Sequence, residues 1–197
     1  YSQRPGFGVV GEAVSGLRHM TGDADRPPSR VGVPLTDFLA GVYAAFGTLV
    51  AVVHRTATGK GQCVDTALYE AAFSFMHQLV PAYDKLAVVP TRTGSRLKGM
   101  APNSLYRGKD GAYLCISAGS QPIFKRLAKV MCREDLVDDA RFGTVEARAS
   151  HEDEIDAIIQ SWVEEFPASD VERKLIEADV VASRIFDIKD IFEDEHY

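Results

Sequence analysis

The chain has 197 residues, 46% of them hydrophobic, and carries 22 Lys and Arg against 28 Asp and Glu for a formal net charge of -6. That is apolar material enough for one domain or two small ones, and the acidic balance argues against nucleic acid or an anionic membrane as the main partner, since both need clustered cations. The three cysteines, Cys63, Cys115 and Cys132, are odd in number, widely spaced and without a CxxC. This argues against a disulfide framework or a zinc site and for buried free thiols in a reducing compartment.

The chain opens on Tyr1 and a loop, then offers small and apolar residues at helical spacing from Val10 to Met20. Pro27, Pro28 and Pro34 make the next stretch a loop. Thr36 or Asp37 then caps a helix running to about Thr56. Its uncharged run, Phe38 to Val53, is shorter than a membrane span usually needs, so a buried core helix is expected. Gly41 and Gly47 inside it suggest close packing against another backbone. After a turn at Thr58–Gln62, a short strand to Asp65 and a long helix are expected, the latter with Leu68, Ala71, Ala72, Phe75, Met76 and Leu79 on one side and Pro81 kinking or ending it. Residues 88–103 are rich in Gly, Arg and Pro and read as a loop.

The character then changes. A strand around Leu105, a turn at Lys109–Gly111 and an alternating strand Ala112–Ala118 form a hairpin. Amphipathic segments follow near Gln121–Met131, His151–Glu165 and Ser169–Ala178. Trp162 falls at core spacing from Ile155, Ile158 and Ile159, and Glu152, Asp153, Glu154 and Asp156 read as a solvated face. The division expected is therefore a helix-rich part over 1–87, a linker or active-site loop over 88–103, and a small α+β unit over 104–197.

Chemistry has few anchors. Gly6–Gly11 matches G-x-G-x-x-G, but it follows a loop where the dinucleotide fingerprint needs a strand. No GxSxG, HExxH or Walker motif is present, and His19, His54 and His77 have no obvious partner. Asp37 at the front of an oily helix is either a cap or a nucleophile, and the two roles are compatible. Backbone N–H groups and the helix dipole hold a carboxylate there ionised and fixed, and carboxylates do act as covalent nucleophiles. Arg92, Arg96, Lys98 and Arg107 fall close together. The basic loop either greets an anionic substrate or is a mobile surface loop.

Taken in order, "RPGF" at Arg4–Phe7, "SGL" and "TG" within Ser15–Gly22, "RVGVPLTDFLAG" at Arg30–Gly41, "TGKGQCVDTALYEAA" at Thr58–Ala72, "APN" with "KDGAYLCISAG" up to Gly119, and "LVDDARFGTVEAR" at Leu136–Arg148 resemble the family III CoA-transferases, the CaiB/BaiF family, along essentially the whole chain. The resemblance implies an α/β, mixed α+β fold. This chain would be an internal fragment: the later, helix-rich part of a large Rossmann-like CoA-binding domain, plus the small α+β domain. It implies Asp37 as the nucleophile that passes through an aspartyl-CoA thioester while CoA moves between an acyl-CoA and a free carboxylic acid. It also implies no permanently bound cofactor and no metal, with coenzyme A and its acyl thioesters as substrates.

The family's glycine-rich loop falls near 94–102. Gly99 matches one of its glycines, while Leu97, Lys98 and Met100 stand at others. Phe7, Arg96, Lys98, Gly99 and Met100 are thus the expected substrate-binding residues, with Arg96 or Lys98 pairing with the second carboxylate of a dicarboxylate. The racemases of the same family place a His where Phe7 stands. Racemisation needs two acid–base groups, so transfer is favoured over an α-methylacyl-CoA racemase-like reaction or a non-catalytic relative. The remaining expectations are that the first half of the family fold is missing upstream of Tyr1 and that the fragment is inactive alone. The complete protein is expected to be an interlocked homodimer, without membrane or nucleic-acid partners. With no signal peptide visible, a cytoplasmic location is expected, or a mitochondrial or peroxisomal one in a eukaryote.

Overall fold

The computed structural model describes residues 3–197, which fall into two compact units divided between Gly94 and Ser95. In the first unit, α1 (Gly8–Val14) packs on α2 (Leu17–Met20), on the long α3 (Leu35–Thr58) and on α4 (Leu68–Phe73). A 3-10 turn at Ser74–Met76 follows, then α5 (Leu79–Leu86). The expected long helix is therefore broken after Met76 and restarts at Leu79, so that Pro81 falls in a first turn, where its missing N–H costs nothing. The strand expected at Gln62–Asp65 is absent: this stretch is irregular.

The last stretch of the unit returns beside the 19–30 loop. Gly94 N–H donates to the Gly22 carbonyl at 3.0 Å. The Arg92 guanidinium gathers the carbonyls of Asp23 at 3.0 Å, Arg26 at 3.0 Å and His19 at 3.2 Å. A fixed planar fork of donors suits such a knot.

The helix expected to lie in a core is largely exposed. Of α3 only Thr36 is buried. Phe38, Val42, Phe46, Leu49 and Val53 form an exposed apolar stripe, each about two-thirds accessible. By length and composition alone α3 passes for a membrane span, at 24 residues and mean hydropathy 1.7. Gly41 has nothing near it, and Gly47 packs against the Val64 side chain and not against a backbone.

The second unit holds β1 (Asn103–Arg107), β2 (Tyr113–Ser117), α6 (Gln121–Val130), α7 (Asp135–Asp138), α8 (Val145–Ser150), α9 (Glu152–Val163), α10 (Ala168–Glu177), β3 (Val181–Arg184) and α11 (Ile188–Glu193). The strands form one antiparallel sheet in the order β1-β2-β3, with Leu105 opposite Cys115 and Ile116 opposite Ala182. Alternation along β2 puts Leu114 and Ile116 inward and Tyr113 and Cys115 outward, as a one-sided sheet requires.

Three helices supply the other wall at helical intervals: Phe124 and Leu127 from α6, Ile155, Ile159 and Val163 from α9, Val171 and Leu175 from α10. The hairpin turn is fixed to this layer, because the Asp110 carboxylate accepts from Ala168 N–H at 3.2 Å. All three cysteines are free but exposed. Cys115 lies on the open face of the sheet and Cys132 just past α6, which corrects the expectation of burial.

Candidate active site

Pro34 occupies the N-cap of α3, so Asp37 is its third residue. An acid at this position sits in the first turn, at the positive end of the helix dipole. Thr36 Oγ1 donates to Asp37 Oδ2 at 3.3 Å and also reaches the Gly8 carbonyl at 3.3 Å. Gly8 is the first residue of α1, with Phe7 as N-cap. A Cβ on Gly8 would overlap Asp37 Oδ2 outright and meet Thr36 Oγ1 at 2.9 Å. Two helix starts thus converge on one carboxylate, and the absence of a side chain at Gly8 makes the approach possible. Asp37 itself is exposed. Phe7 is 81% accessible, so the structure brings Phe7 and Asp37 to the same end of the first unit.

That unit also carries an apolar groove of about 720 Å³, lined by residues including Met20, Phe73, Met76, Val80, Tyr83 and Val89. Asp37 does not line it. His19 stands at its edge with Nε2 against the Pro90 carbonyl at 3.1 Å, a packing role.

The other expected residues lie in the second unit. Arg96 is held there by its own neighbours: Nη1 donates to Asp153 at 2.6 Å and Nε to Asp156 at 2.8 Å. Burial draws the guanidinium down, and the Asp153 bond with the Asp156 charge more than reverses this, leaving it above its ordinary value. Asp156 is buried and also accepts from the Tyr106 hydroxyl at 2.6 Å. Burial first, then the Asp156 charge, pushes the Tyr106 hydroxyl far above its ordinary value. Asp156 is therefore a buried acceptor, not part of the solvated face read from the sequence.

Leu97 N–H donates to the Asn103 carbonyl at 3.2 Å, and Met100 N–H closes a turn onto the Leu97 carbonyl at 3.2 Å. Lys98 and Gly99 form the exposed tip of this turn, Gly99 with φ of +83°, a conformation glycine adopts without penalty. Met100 is 43% accessible, on the same turn.

Sequence reasoning missed Arg148. It is completely buried with no carboxylate touching it. Nε donates to the Ala101 carbonyl at 3.0 Å, Nη2 to the Gly119 carbonyl at 2.8 Å, and Nη1 to the Phe142 carbonyl at 2.7 Å and to Gln121 Oε1 at 2.8 Å. The guanidinium lies 4.1 Å from the Phe124 ring centroid. Burial lowers its pKa, opposed only by the charge of Glu146. Among the described residues no cluster of His, Cys, Asp or Glu is arranged to hold a metal ion.

The model of CoA-transferase family III matches residues 1–197. The chain belongs to that family. Among the relatives of this family III chain is a succinyl-CoA–D-citramalate CoA-transferase of Chloroflexus aurantiacus, 38% identical over the whole chain and 49% of the relative. A succinyl-CoA:mesaconate CoA-transferase of Haloarcula marismortui is 32% identical over 98% of this chain and 48% of that protein. A CaiB/BaiF family protein from Brucella suis superposes with a TM-score of 0.87 at 27% identity, covering all of this chain and 52% of that structure. The fold expected from the resemblance, mixed α/β of the CaiB/BaiF type, is thus the fold found. The chain spans about half the length of the curated relatives it matches.

Proposed function

We propose that the complete protein moves CoA from an acyl-CoA to a free carboxylic acid, with Asp37 as the nucleophile. The observation that carries this reading is the exposed Asp37 carboxylate at two converging helix starts, with Gly8 kept bare against it. The carboxylate attacks the thioester carbonyl, the C–S bond breaks, and a mixed anhydride and CoA thiolate result. The thiolate attacks the aspartyl carbonyl, frees the donor's acid and leaves an aspartyl-CoA thioester. The acceptor carboxylate attacks that thioester, and the expelled thiolate then takes the acceptor acyl group, which restores Asp37. Exchange between two poor nucleophiles becomes four easier steps, and N–H groups at helix starts favour the oxyanions that form. Every bond in this sequence is made by Asp37, a thiolate or a carboxylate, so the scheme calls on no cofactor or metal.

The relatives' names support succinyl-CoA as donor and a small dicarboxylic acid as acceptor. In this reading Lys98, exposed on its turn, supplies the cation for the acceptor's second carboxylate, since Arg96 is engaged by Asp153 and Asp156. Gly99, Met100 and Phe7 complete the proposed substrate-binding set. The protein works in this reading as an interlocked homodimer in the cytoplasm, and Phe7 argues against racemisation, which needs a second acid–base group. The test is an acceptor screen with succinyl-CoA as donor. Transfer to C4–C5 dicarboxylates that vanishes in Asp37→Asn supports the reading. α-Deuterium exchange without transfer refutes it.

A further inference from the structure

We propose that Arg148 is a positioning residue for the Arg96–Pro102 turn and acts through it on acceptor binding. The inference rests on the reading of that turn as the acceptor-binding element. A fully buried guanidinium without an acid is costly, so its placement calls for a return: one of its bonds goes to the rear of this turn and a second to Gly119, which packs on it. Nε holds the Ala101 carbonyl and Nη2 the Gly119 carbonyl. Gly119 is itself pressed on the turn, since a Cβ there would meet the Met100 carbonyl at 2.9 Å and Met100 Cβ at 3.2 Å. The front is held separately, by Arg96 on Asp153 and Asp156. Between the anchors Leu97 and Met100 are exposed as well, and the tip is formed by Lys98 and Gly99. Their presentation depends on how firmly Ala101 and Met100 are seated. With four N–H···O bonds to three carbonyls and one amide, Arg148 sets that seating, and no ligand is needed to form it.

The experiment is limited tryptic cleavage of the complete protein, read as the rate at Lys98–Gly99 relative to all other sites, alongside steady-state kinetics with donor and acceptor varied separately. Charge-assisted bonds to carbonyls are strong enough that Arg148→Met should speed Lys98–Gly99 cleavage selectively by about tenfold or more. The same variant should raise the acceptor KM while kcat and the donor KM hold. Arg148→Lys, which keeps the charge and part of the bonding, should fall between.

Leu127→Ala, a core truncation that removes none of the hydrogen bonds holding the turn, should speed cleavage at all sites together and leave the KM ratio alone. Should Arg148→Met fail to fold, Gly119→Ala crowds Met100 with Arg148 intact and should expose Lys98 in the same selective way. The proposal is overturned if Arg148→Met and Leu127→Ala give one cleavage pattern, or if Gly119→Ala leaves Lys98–Gly99 cleavage unchanged. A wild-type protein that transfers no CoA would refute the functional reading instead, and the cleavage pattern would still decide the role of Arg148.

Discussion

Asp37→Asn preserves the size of the side chain and a partner for Thr36 Oγ1, yet removes the charge and the nucleophile. Activity should fall below detection while thermal stability changes little, as a melt alongside the transfer assay would show. Gly8→Ala probes the same place from the other helix. Its methyl must displace the Asp37 carboxylate, so transfer should fall at least tenfold, as expected when a reacting group is moved by about 1 Å, again with the fold retained.

Lys98 and Arg96 should separate. Lys98→Ala should raise the KM for dicarboxylates and not for monocarboxylates. Arg96→Ala should instead lower stability by about 1–2 kcal/mol in denaturant titrations, because it strips a buried carboxylate of its cation. Asp37 was legible because an ordered set of motifs surrounds it. Arg148 was not, because an arginine in "VEARAS" reads as helix surface, and its burial depends on carbonyls as far away as Ala101. Asp156 hid among Glu152, Asp153 and Glu154 for a similar reason: only the tertiary partner Tyr106 distinguishes it.

Elements with long apolar periods were readable: the hairpin, α6, α9 and α10 all lie where alternation or helical spacing put them. β3 escaped because four residues carry little pattern and its pairing with β2 spans more than sixty positions in the chain. The strand expected at Gln62–Asp65 failed because no partner strand is there to receive it among the described residues. Local chemistry can be tested in α8, where the Thr144 side chain accepts from Ala147 N–H at 3.1 Å. Thr144→Ala should cost about 1 kcal/mol in chemical unfolding, the ordinary value of an N-cap. Leu114→Ala, at the centre of the sheet's buried face, should cost about 2–5 kcal/mol by the same measurement.

For the molecule as a whole, the exposed stripe of α3 is the largest departure from what its sequence suggests. A run of apolar residues implies burial but does not say in what, and the chain spans half its relatives' length. The 197-residue chain alone should bind a hydrophobic dye strongly and aggregate, and the complete protein should bind little dye and assemble no further than a dimer. Partition of the complete protein into detergent would instead favour a membrane role for α3.

Acid stability should follow the carboxylates held low. The Asp139 carboxyl lies at about 2, set by its bonds with Arg141. Asp135 is lowered by Arg133, and Asp187 by the N–H groups of Asp190 and Lys189. Groups depressed in the folded state stabilise it above their ordinary value of 3.8, and that stability is lost as pH falls from there toward 2. Melting temperature should therefore be level near neutrality and drop across that window.

Covalent capture bears on the nucleophile most directly. The complete protein is incubated with succinyl-CoA without acceptor, digested at low pH and analysed by mass spectrometry. Chemistry through the α3 carboxylate requires a CoA adduct on the peptide bearing Asp37, discharged by added dicarboxylate and absent from Asp37→Asn. Turnover with that peptide never modified, or turnover that survives Asp37→Ala, would contradict it.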